Sequence, residues 1–194
     1  MRKLVYYIGM TIDGFIAAPD GGFDFFPVSQ DVIDFIVEAY PDTLPTHVRQ
    51  QLGVDVENPT FDTGVQGRAT YEPALAIGIT SPYAHLRQYV VSESMKESPD
   101  PTVEIISGDL VDKIRELKAE AGKDIYLTGG SRLAGALLDE IDTLVIKLYP
   151  IVIGTGIPLF TSDFSPTHFT LVDNRALERG TVILTYDKKS SVEV

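Results

Sequence analysis

The chain has 194 residues, enough for one domain with a substantial core and short for two. It is 44% hydrophobic with a formal charge of −12, an ordinary globular composition whose sign argues against nucleic acid and anionic membrane surfaces as partners. Cysteine is absent, which removes disulfides, thiolate metal ligands and thiol nucleophiles and fits a reducing cytoplasm.

Leu4 to Met10 is apolar without a small-residue cleavage site, so it is expected as a central strand rather than a signal peptide. No run approaches the ~20 apolar residues of a membrane span. Thr11 to Ala17, followed by Pro19-Asp20-Gly21-Gly22, is a turn-rich loop expected near a ligand. Ser29 is placed to cap a helix whose Val32, Ile33, Phe35, Ile36 and Ala39 share one face, with Pro41 ending it. The polar stretch from Pro41 to Pro59 is expected as a surface excursion beside the active cleft, with a short irregular helix. Phe61 to Val65 is a short strand, and Gly67-Arg68-Ala69-Thr70-Tyr71-Glu72 opens a brief helix stopped near Pro73.

Arg87 to Ser92 and Val103 to Ile106 are further strands. Asp109 to Ala121 is an amphipathic helix with Leu110, Ile114 and Leu117 inward, ended by Gly122. Asp124 to Thr128 is a buried strand leading into Gly129-Gly130-Ser131 and then a helix from Arg132. Leu144 to Pro150 is a second apolar run, which makes a βαβ unit. Two terminal strands, about Thr167 to Asn174 and Gly180 to Tyr186, are joined through Ala176 to Arg179. This pattern predicts an α/β domain over residues 1–194, a mostly parallel sheet with an antiparallel C-terminal hairpin.

The chemistry concentrates in a few motifs. Glycines without Cβ at Gly129 and Gly130 let backbone approach a ligand, and the following helix start offers free N–H groups to an anion. Gly67-Arg68-Ala69-Thr70 is a second candidate phosphate site, because a cation at a helix start is otherwise disfavoured. Gly154-Thr155-Gly156-Ile157-Pro158-Leu159 fails as a dinucleotide fingerprint, since Leu159 replaces the third glycine and no helix follows; it is expected to close over the sheet edge. His47, His85 and His168 have no metal-ligand spacing, and the serines lack a nucleophile elbow. Two carboxylates are candidates for catalysis. Asp13 sits before Gly14, where turn stabilisation is its commonplace role. Asp31 lies in the first turn of the Ser29 helix among Phe26, Val28, Ile33 and Phe35, surroundings that would raise its pKa toward neutrality and make it a proton donor.

Met10 through Ala17, Gly67 through Glu72, Val90-Val91-Ser92, Thr128-Gly129-Gly130-Ser131 and Pro150 through Phe160 occur in the order that resembles the dihydrofolate reductase-like proteins. The branch they resemble is the reductase domain of bacterial riboflavin biosynthesis, the RibD C-terminal domain. The resemblance implies a three-layer α/β/α fold on a twisted eight-stranded sheet, a small-molecule substrate and often a homodimer. It implies NADPH, with Gly67, Arg68, Thr70, Ser92, Thr128, Gly129, Gly130, Ser131 and Leu133 along its phosphates and ribose. Ile8, Ile16 and Ala17 would then form the nicotinamide side of the cleft. Asp31 matches the family's substrate-binding carboxylate, and Phe35 an aromatic that packs on the substrate ring. Glu93 follows Ser92 where a basic residue is common, so NADH stays open beside NADPH. The activity implied is hydride transfer to a small heterocycle. Reduction of 5-amino-6-(5-phosphoribosylamino)uracil, dihydrofolate reduction and a silent nucleotide-binding protein are the alternatives.

Overall fold

A computed structural model describes residues 1–189. Eight strands form one sheet in the order β5-β4-β3-β6-β1-β7-β10-β9. In chain order they are β1 (Leu4–Thr11), β3 (Phe61–Gly67), β4 (Arg87–Val91), β5 (Val103–Ile106), β6 (Asp124–Gly129), β7 (Thr143–Tyr149), β9 (Phe169–Ala176) and β10 (Val182–Lys188). Every neighbouring pair from β5 across to β7 is parallel, whereas β10 runs antiparallel to both β7 and β9. The expected fold class is therefore observed. Two short strands, β2 (Phe15–Ala17) and β8 (Ile157–Pro158), pair antiparallel beside it. Neither was expected, because elements of two or three residues carry no periodicity to detect.

The run after Gly130 does form a βαβ unit through α5 (Ser131–Ala136), but its two strands are not neighbours. β1 lies between β6 and β7 and pairs with both. That placement encloses the first half of β1 from both sides: Leu4 and Tyr6 are fully buried on one face, Val5 and Tyr7 nearly so on the other. Tyr6 joins Ile114, Leu117, Leu127 and Leu137 under α4 (Leu110–Ala119) and α5. Tyr7 joins Phe35, Phe61, Tyr126 and Ile183 under α1 (Gln30–Ala39). These two apolar layers are the outer interfaces of the sheet.

Three local expectations are corrected. α3 (Arg68–Ala76) runs past Pro73 instead of stopping there. Pro73 lacks the amide that would bond the Ala69 carbonyl, but both residues are exposed and water can satisfy that oxygen. Ser29 takes the N-cap position of α1 in extended conformation, yet its hydroxyl makes no capping bond and donates instead to the Asp31 carboxylate. The Pro41 to Pro59 stretch is not a free surface excursion, since Pro41, Asp42, Thr43 and Arg49 are buried. It holds a 3₁₀ turn (Pro41–Thr43) and α2 (Thr46–Leu52), and fully buried Asp42 accepts from the amides of Thr60 (2.8 Å) and Phe61 (2.6 Å). A buried carboxylate needs such donors, and they anchor this stretch to the start of β3, the end opposite the glycine turns.

Candidate functional site

The carboxyl ends of β3 and β6 lie side by side, so the two glycine motifs meet. A methyl on Gly67 would sit 3.6 Å from the Gly129 carbonyl oxygen, 3.7 Å from the Gly130 nitrogen and 3.9 Å from Leu133 Cβ. One on Gly130 would touch Thr70 Oγ1 at 3.7 Å. Gly129 has φ +115, a conformation other residues rarely adopt, and it lies against Tyr6 and the Ile8 side chain. The Gly129–Gly130 peptide is cis. Gly67, Thr70, Gly129, Gly130, Leu133 and Ile8 thus converge on one backbone-walled cradle at the carboxyl edge of the sheet, where ligands of open α/β sheets settle.

Other expected members stand around this cradle with existing partners. Arg68 is exposed, donates to the Ser94 hydroxyl and pairs with Glu72 at 3.1 Å, so a neighbour one turn along also accounts for a cation at this helix start. Ser92 is buried at the end of β4, and its hydroxyl accepts from the Met95 amide at 2.9 Å. Glu93 accepts from the Gly108 amide at 3.4 Å. The Ser131 hydroxyl is buried and shares a hydrogen bond with Thr161 at 2.7 Å, which pins the segment after β8 onto α5. Gly135 permits this approach, since a methyl there would lie 1.9 Å from the Thr161 carbonyl oxygen. Thr128 is half-buried on β6. Ile16 and Ala17 lie on β2, tied to β8.

Asp13 joins the same two loops. Thr11 donates to its carboxylate at 2.6 Å, and the Gly154 and Ile153 amides follow at 2.7 Å and about 3.2 Å. The Thr11 hydroxyl, with those amides, holds the Asp13 carboxyl below the usual carboxylate range. This is the turn-stabilising role, performed across 140 residues of chain.

Asp31 corrects the sequence expectation more sharply. Its carboxylate takes the Ser29 hydroxyl, the Arg179 amide at 2.9 Å and the Val32 amide at 3.1 Å. Hydrogen bonding, first from Ser29 and then from Arg179, lowers its pKa instead of raising it. The polar partners outweigh its apolar neighbours: Ser29 lies two residues back, and the Arg179 amide arrives from the β9–β10 turn. Phe35 is likewise not open to a cleft: it is 6% exposed, packed in the α1 layer, with the Arg175 guanidinium 5.3 Å from its ring centre.

The aromatic wall falls to other residues. A depression of about 440 Å³ is lined by Phe26, Pro27, Val28, Ser29, Pro150 and Arg179. The Phe26 ring lies tilted against Tyr149, 4.8 Å between ring centres. Two residues before Tyr149 on the same strand face is Lys147, whose Nζ lies 3.6 Å from the centre of the Tyr7 ring. Burial pushes the Lys147 ammonium down to about 7. Phe26 lines the depression with Tyr149 behind it, and neither they nor Lys147 stood among the residues expected at a site. Their signal was present: a lone lysine in the otherwise apolar Leu144 to Tyr149 run must point into one of the two packed layers.

Comparisons with known proteins agree with this geometry. Residues 71–183 match the RibD C-terminal domain. The chain belongs to that family. It is 32% identical over 161 residues to uncharacterized protein YwjB of Bacillus subtilis, covering 82% of this chain and 83% of YwjB. It is 22% identical to YyaP of the same organism, covering 95% of this chain and 94% of YyaP. Among solved structures it is similar to a putative riboflavin biosynthesis protein of Shewanella sp. PV-4, with TM-score 0.71, 26% identity and coverage of 97% and 99% of the two chains. A dihydrofolate reductase from Enterococcus faecalis, complexed with NADP(H), shares the fold at TM-score 0.60 and 17% identity, over 97% of each chain.

Proposed function

We propose that this protein is an NADPH-dependent reductase that transfers hydride to a small pterin- or pyrimidine-like heterocycle. The observation that carries this reading is the cradle itself. Two strand-to-helix turns lie side by side with glycine where a side chain would obstruct a phosphate chain, and Ile8 stands at their inner end. The residues suit such a cofactor: Gly67, Gly129 and Gly130 would admit its pyrophosphate, Arg68 and Thr70 would contact its oxygens, and Ile8 would flank the nicotinamide. When bound, a reduced nicotinamide supplies the hydride; the protein's part is orientation, exclusion of water and management of the proton.

A second reading, reduction of 5-amino-6-(5-phosphoribosylamino)uracil, draws on family membership. Assembly as a homodimer belongs to the proposal too. β9 is an edge strand with Leu171 46% and Val172 53% exposed, surface suited to a second copy. Sedimentation at micromolar concentration should give twice 21.3 kDa, and a monomer mass would remove this part.

The direct test is thermal unfolding with each cofactor, followed by cofactor oxidation with dihydropterin, dihydrofolate and the phosphoribosylaminouracil. A ligand at a hundredfold excess over its dissociation constant stabilises by about 2.7 kcal/mol, so NADPH should raise Tm visibly and Arg68→Ala should reduce the shift. Comparison with NADH reads the influence of Glu93. Absence of any shift with either cofactor at millimolar concentration would end the reductase reading.

A further inference from the structure

Hydride addition to a C=N or conjugated C=O group places an electron pair on nitrogen or oxygen, and a proton must meet it. Asp31 and Asp13 are held ionised by their hydrogen bonds, so neither carries that proton near neutral pH. Another group is built for it on the α1 face of the sheet.

Lys147 sits on β7 opposite Gly9 of β1 and Ile183 of β10. Gly9 gives it no fence on the β1 side, and the Tyr149 ring edge fills toward that glycine, 2.9 Å from where a Cβ would stand. Tyr149 in turn backs onto Phe26, which forms one wall of the depression. Phe26, Tyr149 and Tyr7 thus give the α1 face aromatic surfaces beside the part-exposed Lys147, surroundings suited to a flat conjugated ring. The lysine is half-buried, so it is desolvated without being sealed off.

A purely structural buried lysine finds partners, and this chain shows how. Lys118 pairs with the Asp142 carboxylate at 2.7 Å and donates to the Glu140 carbonyl at 2.9 Å. Lys147 has neither an acid nor a carbonyl partner among the described residues, and rests only on the Tyr7 ring.

The titratable groups around Lys147 are few. They are Tyr7 on β1, Tyr149 on its own strand, Tyr40 with its ring centre 4.9 Å from that of Tyr7, Asp42 just beyond, and Asp31 at the head of α1. β10 contributes the apolar Ile183, and past it β9 carries Arg175, which lies over Phe35 and pairs with Glu38 of α1, and Asp173, which faces Tyr40. Burial keeps the Tyr7 and Tyr149 phenols protonated. Desolvation is therefore the whole cause of the low lysine value of about 7, and the amine can exchange its proton at working pH.

We infer that Lys147 is the proton donor to the substrate, a role that rests on the reductase reading. Once hydride had reached the acceptor carbon, the adjacent nitrogen or oxygen would hold the former π pair and take a proton from Nζ. The lysine N–H bond breaks, an N–H or O–H bond forms on the substrate, and the electron pair of the broken bond stays on the now neutral amine. Solvent returns the proton. The substrate class is a flat heterocycle with a C=N or enone-type C=O, not an isolated alkene, which offers no atom for this proton.

Two measurements test the role. In protein labelled with [ε-13C]lysine, one of the eight lysine signals, absent from Lys147→Arg, should titrate near pH 7. With the substrate panel, kcat/KM should fall as pH rises through that same value. Lys147→Met and Lys147→Arg should each lose about a hundredfold or more in kcat/KM and lose the inflection, while the NADPH-induced rise in Tm persists. If Lys147 titrates with the other lysines, or if Lys147→Met reduces a panel compound at the parent rate and pH profile, the lysine role is overturned and the reductase reading stands. If NADPH neither binds nor is oxidised with any panel compound, both are overturned together.

Discussion

The two halves of the candidate site are made of different material. The cradle at the ends of β3 and β6 is built from backbone: what matters at Gly67, Gly129 and Gly130 is the side chain each lacks. The face under α1 is built from side chains, with Lys147, Tyr149, Tyr7 and Phe26 drawn from three separated segments. A backbone site depends on local conformation and so tolerates little substitution and almost no rearrangement. A side-chain site depends on what the tertiary packing removes from water, and its chemistry changes with its surroundings.

That contrast can be broken most strongly at Gly67. Its φ of −76 and ψ of 157 suit any residue, and a methyl would meet its neighbours at ordinary van der Waals distance. Gly67→Ala should therefore leave the unliganded Tm within a few degrees while weakening cofactor affinity tenfold or more, read by isothermal titration with NADPH. Parent-like affinity would show that the cradle's emptiness is not used.

A smaller effect, opposite in sign to most core mutations, is expected at Lys147. Its folded pKa of about 7 lies below the unfolded value of about 10.4. Between these values the unfolded chain binds a proton that the folded chain does not, so this residue makes stability rise with pH across the window. Below pH 7 the full cost of the buried charge is present. Lys147→Met should thus be more stable than the parent at pH 6, on the order of 1–3 kcal/mol after allowing for partial exposure, and the gap should close by pH ~10. Denaturant melts at the two pH values check this. A variant less stable at pH 6 would mean the lysine is a satisfied structural group.

The smallest expected effect separates the carboxylates from the lysine. Asp13 has its folded pKa depressed by the Thr11 hydroxyl and the loop amides, so its stabilisation is present above the ordinary value of 3.8 and lost as pH falls through the lower folded one. Asp13→Asn should lower Tm modestly at pH 7, and the difference from the parent should shrink as pH drops below 4. A difference that grows on acidification would mean the carboxyl is not ionised in the folded protein.

The amino-acid order determined a good deal unaided. Alternating apolar runs and helical spacing identified the eight strands of the main sheet and the principal helices, because an interior strand must be apolar wherever it lands and even the exposed edge strand β9 carries Phe169, Leu171 and Val172. The glycine turns at Gly67 and Gly129 were legible for a related reason: absence of a side chain is a local property that no later packing restores. Tertiary structure alone decided the rest. It inserted β1 between β6 and β7, a pairing between segments about 120 residues apart. It brought the Arg179 amide to Asp31 across 148 residues and so turned an expected donor into an ionised anchor. It folded Phe35 into the core and left Lys147 desolvated over Tyr7. A pKa is set by every group within a few ångströms, and for these residues those groups are distant in sequence. Conformation is written residue by residue; acidity is written by neighbours that only the fold assembles.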